Sequence, residues 1–152
     1  MKIFPVYSYN SKKDIISFQA KLPKISQKQQ FELRDFFTYI YEYKKGVKPL
    51  ALITTRPANR EFVEAKLQHA EIPYHISAVG KAVNSVDNKN ESKLLNIFFG
   101  NEKCIEVVKT FTNSLSQLSD EKDFMLGQML GYDVVQQCQR YLKRIGKKLG
   151  SA

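Results

Sequence analysis

Residues 49–55 read PLALITT, an uncharged and mostly apolar run behind a proline. A strand with one wet face alternates apolar and polar residues, whereas an unbroken apolar run belongs to a strand covered on both faces. Such a strand needs a real core around it. The 152-residue chain is long enough to build one as a single domain without disulfide or metal staples.

The neighbouring segments supply the rest of that core. SQKQ at 26–29 is a capping-box pattern, followed at helical spacing by Leu33, Phe36, Phe37, Ile40 and Tyr43. Lys44, Lys45 and Gly46 then give the basic last turn and the glycine that end a helix. After PLALITT, the segment TTRPANREFVEAKLQHAEI opens a helix, with Pro57 suited to its first turn and Val63, Leu67 and Ala70 on its inner stripe. YHISAV and LLNIFFG read as the second and third strands, and GNEKCIEVVKTF starts a helix at once after the third. Between those two strands, residues 80–93 are polar and Asn-rich, the composition of a long mobile loop. Ser119, with Asp120, Glu121 and Asp123 behind it, starts a final helix expected to run through Ile145.

Two glycines sit four apart in that last segment. Each costs about 1 kcal/mol relative to alanine in a helix interior. The sequence reading places Phe124, Gly127, Gly131, Val135, Cys138, Leu142 and Ile145 on one buried stripe, with the glycines letting a neighbour approach closely. A membrane GxxxG face is excluded by Asp123, Gln128, Asp133, Gln136 and Gln137 around it.

These elements predict an α+β fold, a two-layer sandwich with a small mixed sheet, a βαββα-like core of ferredoxin-like flavour and a long C-terminal helix. The second and third strands should be antiparallel neighbours, and the strand–helix–strand part reads as a right-handed parallel crossover within a split βαβ or ferredoxin-like arrangement, with the order of the strands left open. Residues 1–25 read as a basic extension or an edge hairpin, because DIISFQAKL alternates with period two while Pro5 argues for an edge. Residues 26–146 form the single domain and 147–152 a basic tail.

The charge of +9 is concentrated at the two ends. Residues 1–30 hold six lysines against Asp14 alone, and residues 140–148 hold five bases and no acid. Basic ends attract an acidic protein or nucleic acid. No apolar run approaches the roughly 20 residues that span a bilayer, and the first residues lack a signal-peptide pattern, so a cytoplasmic setting is expected. Cys104 and Cys138 read as reduced core thiols.

No P-loop, GxGxxG or GxSxG is present, and neither His69 nor His75 has a partner at catalytic or metal-ligand spacing. The expectation is therefore a non-enzyme without cofactor or metal. Two places suit an anion or small ligand. One is the turn after the first strand, with Thr54, Thr55, Arg56 and Arg60. The other is the helix start at Gly100 and Asn101. For a protein partner, Tyr39, Tyr41 and Tyr43 beside Lys44 and Lys45 form an amphipathic rim, joined by Arg140, Lys143 and Arg144 of the basic end.

The stretches YEYKKGVKPLALITT, NIFFGNEKCIEVV and EKDFMLGQMLGYDVVQQCQRYL together resemble a small bacterial family labelled only as a domain of unknown function, whose members are often encoded beside a flavodoxin. The resemblance covers roughly residues 36–145; the basic N-terminal stretch and residues 82–90 depart from it. It implies a cytoplasmic bacterial protein tied to low-potential electron transfer and carries no catalytic residue with it. The expected function is a non-enzymatic interaction or regulatory protein that docks an acidic partner, flavodoxin being the named candidate. Two alternatives stand beside it: a nucleic-acid binder using the basic termini, and a small-ligand sensor or enzyme using the anion sites. Oligomeric state is left open.

Overall fold

The computed structural model describes residues 22–79, 94–111 and 115–149. The expected N-terminal hairpin and the expected loop at 80–93 lie outside the described residues.

Ser26 caps the first helix as its sequence requires. Its Oγ accepts the Gln29 N–H at 3.2 Å, while the Gln29 side chain accepts the Ser26 N–H at 3.0 Å. This helix, α1 (Gln27–Glu32), breaks at Leu33 and continues as α2 (Arg34–Lys44). Gly46 ends α2 with φ 76°, donating to the Tyr43 carbonyl while Val47 donates to that of Glu42. This crossed pair is the Schellman motif. The chain then forms β1 (Leu50–Thr55), a 3₁₀ turn (Pro57–Asn59), α3 (Arg60–His69), β2 (Tyr74–Ala78), β3 (Leu95–Gly100) and α4 (Glu102–Lys109). A second 3₁₀ turn (Leu115–Gln117) leads to α5 (Asp120–Met129) and α6 (Val134–Leu149).

The sheet order is β1-β3-β2, and both pairings are antiparallel. β1 and β2 therefore run in the same direction with β3 slotted between them, which is the split βαβ unit. Where a mixed sheet was expected, both ladders are antiparallel. The central strand has the fewest wet positions, every residue from Asn96 to Gly100 being buried.

Register separates the side chains into two cores. Ala51 faces Phe99 and Ile53 faces Ile97, while Tyr74 and Ile76 meet the same two β3 residues from the other side. That face packs on Leu33, Phe36 and Ile40 at α2 and on Phe62, Val63 and Leu67 of α3. Phe36 meets Phe99 edge to face, with ring centroids 5.5 Å apart. On the opposite face, Leu50 and Phe98 pack against Ile105, Val108, Phe111, Leu118, Leu126 and Leu130. Each such side chain contributes about 1.5–3 kcal/mol when fully buried. Helices thus cover both faces of the sheet, giving three layers where two were expected. The apolar residues of β1 and β3 are the reason: each strand has them at odd and even positions, and both sets have to leave water.

The C-terminal segment also departs from expectation. The expected long C-terminal helix is present as α6, but the run expected to be unbroken from Ser119 through Ile145 is two helices, α5 and α6, meeting at a turn. Gly131 has φ 75°; it donates to the Gln128 carbonyl and Tyr132 donates to that of Gly127, another Schellman motif. Asp133 then accepts the Gln136 N–H at 2.8 Å and starts α6. Helix α6 continues through residues 147–149, expected as tail.

Candidate functional site

Each residue predicted to bind an anion is bonded into the fold. At the end of β1, Thr54 donates its hydroxyl to Asn96 Oδ1 at 2.7 Å, and Thr55 Oγ1 accepts Asn59 Nδ2 at 2.9 Å. Arg56 forks onto Glu32, with N–O distances of 3.0–3.2 Å, and Asn59 Nδ2 reaches the same carboxylate at 2.9 Å. Those bonds, Asn59 first and Arg56 next, hold the Glu32 carboxyl below its ordinary pKa. Arg60 pairs with Glu64 at 3.3 Å. The turn thus ties α1 to β1 and α3. At the end of β3, Gly100 N–H donates to the Pro73 carbonyl and Asn101 N–H to that of Pro49, at 3.0 and 2.8 Å. Asn101 Oδ1 accepts the Lys103 N–H at 2.8 Å, capping α4. The amides expected to face an anion face these carbonyls and the cap.

Two of the three predicted basic docking residues on α6 are also engaged. Arg140 Nε and Nη2 bind both oxygens of Asp123, at 2.8 and 3.2 Å. Arg144 Nε meets Asp120 Oδ1 and its Nη1 meets Asp123 Oδ2, each at 2.9 Å. Arg144 Nη2 also donates to the Leu118 carbonyl at 3.3 Å. Asp120 is only 5% exposed. Hydrogen bonding from Arg140 is the leading cause that holds the Asp123 carboxyl below its ordinary value, with Arg144 adding to it. Lys143, in contrast, is exposed.

One turn away, Gln137 lies where a Cβ on Gly127 would be, and the Tyr141 ring meets that of Phe124 at a tilt of 49°, with centroids 5.5 Å apart. Gln137, Arg140, Tyr141 and Arg144 are spaced three and four apart, so they form one face of α6. Helix α6 is therefore held to α5 by a mainly polar face. Its apolar stripe of Val135, Cys138, Leu142 and Ile145 lies on another flank. Val135 is 64% and Leu142 61% exposed, while Cys138 and Ile145 are half-buried. The buried stripe expected from sequence is corrected accordingly: Gly131 ends α5 in an exposed turn, which rotates the residues after it off the line of those before. Both cysteines are free and half-buried, Cys104 against the second core and Cys138 on the open flank of α6.

Beside this helix pair runs a cleft of about 310 Å³ lined by Leu52 of β1, leucines 115, 118, 126 and 130, and Gly127. Asp123, Tyr132, Gln137 and Arg140 supply its polar rim. Burial raises the Tyr132 hydroxyl pKa, so it stays protonated at neutral pH. Sequence reading did not find this cleft, because its lining comes from β1, the 3₁₀ turn, both helices and their connection. The helix break itself had a signal: Gly131 followed by Asp133-Val-Val-Gln136 is a stop followed by a capping pattern.

The predicted aromatic rim lies on α2. Tyr41 is exposed, with Lys45 Nζ 5.5 Å from its ring centre; Lys48 Nζ stands 4.4 Å above Tyr39. Tyr39 and Tyr43 pack partly against the first core, and burial raises the Tyr43 hydroxyl pKa. Lys44 and Lys45 are exposed beside them. His75 faces the α4 side in register with Phe98, and burial keeps its imidazole pKa below the ordinary value. Among the described residues, no three His, Cys, Asp or Glu side chains are grouped to hold a metal ion.

The family model for DUF2023, described as a protein of unknown function, matches residues 34–144, from the first residue of α2 to the arginine that closes the ion-pair cluster on α6. The chain belongs to that family. In this DUF2023 protein the match takes in the second core, all of the first core's buried cluster except Leu33, the aromatic rim, the cleft and the α5–α6 contact. No curated protein matches the chain. Among the described residues, no helix is long and apolar enough to cross a membrane.

Proposed function

We propose that this protein is a non-enzymatic docking or regulatory module of the bacterial cytoplasm, and that α6 is the element it presents to an acidic protein. The reading rests on one observation: α6 is held to α5 through Gln137, Arg140, Tyr141 and Arg144, leaving Val135 and Leu142 in water. An apolar stripe in water marks an interaction surface. Charge selects the partner: Arg140 and Arg144 are paired with α5 aspartates, but α6 also carries Lys143, Lys147 and Lys148 and no acid. Another copy of the same helix would be repelled, whereas an acidic surface is attracted. Flavodoxins are typically acidic, and the gene neighbourhood implied by the family resemblance makes flavodoxin the partner to test first.

Titration of the protein with flavodoxin, followed by calorimetry at low and high salt, tests this. A micromolar complex that weakens about tenfold at high salt is expected. Leu142→Asp should weaken it further, since the position is exposed and the change spares the core. Absence of a complex at micromolar concentration, or a complex indifferent to both salt and Leu142→Asp, removes the reading.

A further inference from the structure

Strand β1 is at the edge of the sheet; it pairs with β3 and, among the described residues, with no strand on its other side. Edge strands are ordinarily guarded by a charge, a proline, a bulge or a covering segment. Leu-Ala-Leu-Ile-Thr-Thr has no charge or proline inside it and pairs with β3 without a bulge over all six residues. Among the described residues, the ground on either side of the edge is open. Toward α2 lies a groove of about 110 Å³ lined by Glu32, Asp35, Phe36, Tyr39 and β1 residues 52–55. Toward α5 lies the leucine-lined cleft already described. Leu52 lines both, so the two hollows meet at the strand edge.

We propose that the outer edge of β1 accepts an extended peptide from a partner protein as a fourth strand, its residues alternating between apolar ones aimed at the leucine cleft and basic ones aimed at Asp35. A strand sends successive side chains to opposite faces. In strand addition, main-chain hydrogen bonds carry affinity and the pockets for alternate side chains carry specificity. Here the two pockets differ in kind. The cleft offers five leucines. The α2 groove is lined by two carboxylates and no base. Glu32 is already held by Arg56, whereas Asp35 is 70% exposed on its side chain and meets Arg34 only at 3.9 Å. The chain's overall charge of +9 opposes a basic ligand, so binding of one reports the local acidic wall. The cleft touches α6 through Gln137 and Arg140, away from Val135 and Leu142, so this site stands or falls separately from the docking stripe.

A fluorescent, end-capped peptide of alternating leucine and lysine tests it by anisotropy, together with two versions N-methylated at only the leucines or only the lysines, and one carrying glutamate for lysine. Every leucine N–H points to one edge of such a strand and every lysine N–H to the other. One methylated version should therefore lose about tenfold or more in affinity while the other is spared. Asp35→Lys should weaken the lysine peptide and favour the glutamate one, while Leu142→Ser changes neither. Equal affinity of the two methylated peptides, no binding up to about 1 mM, or indifference to Asp35→Lys in a variant with unchanged circular dichroism overturns the proposal.

Discussion

Glu71 holds a left-handed backbone, φ 57°, at the end of α3, where it donates to Gln68 and Ile72 donates to Leu67. This is the position that glycine fills at the ends of α2 and α5. A side chain there is strained, and a carboxylate also opposes the negative end of the helix dipole. Glu71→Gly is expected to raise stability by about 0.5–1 kcal/mol, seen as a higher urea midpoint with unchanged slope. Gly100 is the opposite case. With φ 149°, a Cβ there overlaps the Pro49 carbonyl oxygen and comes within 2.9 Å of Leu50 Cα. Gly100→Ala should cost about 3 kcal/mol or more, because the obstacle is backbone; thermal unfolding measures it. The two residues differ in how readable they are. Gly46 announces a helix end in the sequence, and Ser26 and Ser119 announce helix starts. Glu71 announces nothing, since its conformation is imposed by Leu67 and Ile72 being drawn into the core.

Helices α5 and α6 are joined chiefly by charge, which makes their docking sensitive to pH. The Asp123 pKa is lowered in the folded protein, so the unfolded chain binds protons more readily. The stabilisation is fully present above the ordinary value of 3.8 and is lost as pH falls through the lower folded value. Near-ultraviolet circular dichroism, reporting the Phe124–Tyr141 pair, should stay constant from neutral pH to about pH 5 and change below the ordinary aspartate range. Asp123→Asn should abolish that step. Asp120→Ala should cost about 2–3 kcal/mol, because it leaves Arg144 without its buried partner; denaturant titration reads this. Sequence reading gave both carboxylates to the helix N-terminus, where the helix dipole favours them, and both arginines to a free basic surface. Local polarity alone supported that reading, while their meeting across the turn needs the geometry at Gly131.

Across the whole molecule, the exposed stripe and the buried leucines look alike in sequence and should behave differently. Val135→Ser and Leu142→Ser are expected to change stability by no more than about 0.5 kcal/mol, whereas Leu126→Ala should cost about 2–4 kcal/mol. The same chemical denaturation series checks all three. Periodicity, capping residues and apolar runs suffice to place nearly every described helix and strand of this chain, because those signals act over neighbouring residues through hydrogen bonds and water exclusion. Connection lengths gave β2 and β3 as antiparallel neighbours, but the placing of β3 in the centre of the sheet was settled only by the tertiary structure. Three features depend on residues distant in sequence: helices on both faces of the sheet, the polar contact of α6 with α5, and, among the described residues, the edge position of β1 between two hollows. A helix stripe carries no label saying what covers it. Which apolar residues leave water was decided by the turn at Gly131, where a change of chain direction lets arginine–aspartate pairs hold α6 while its valine and leucine remain exposed.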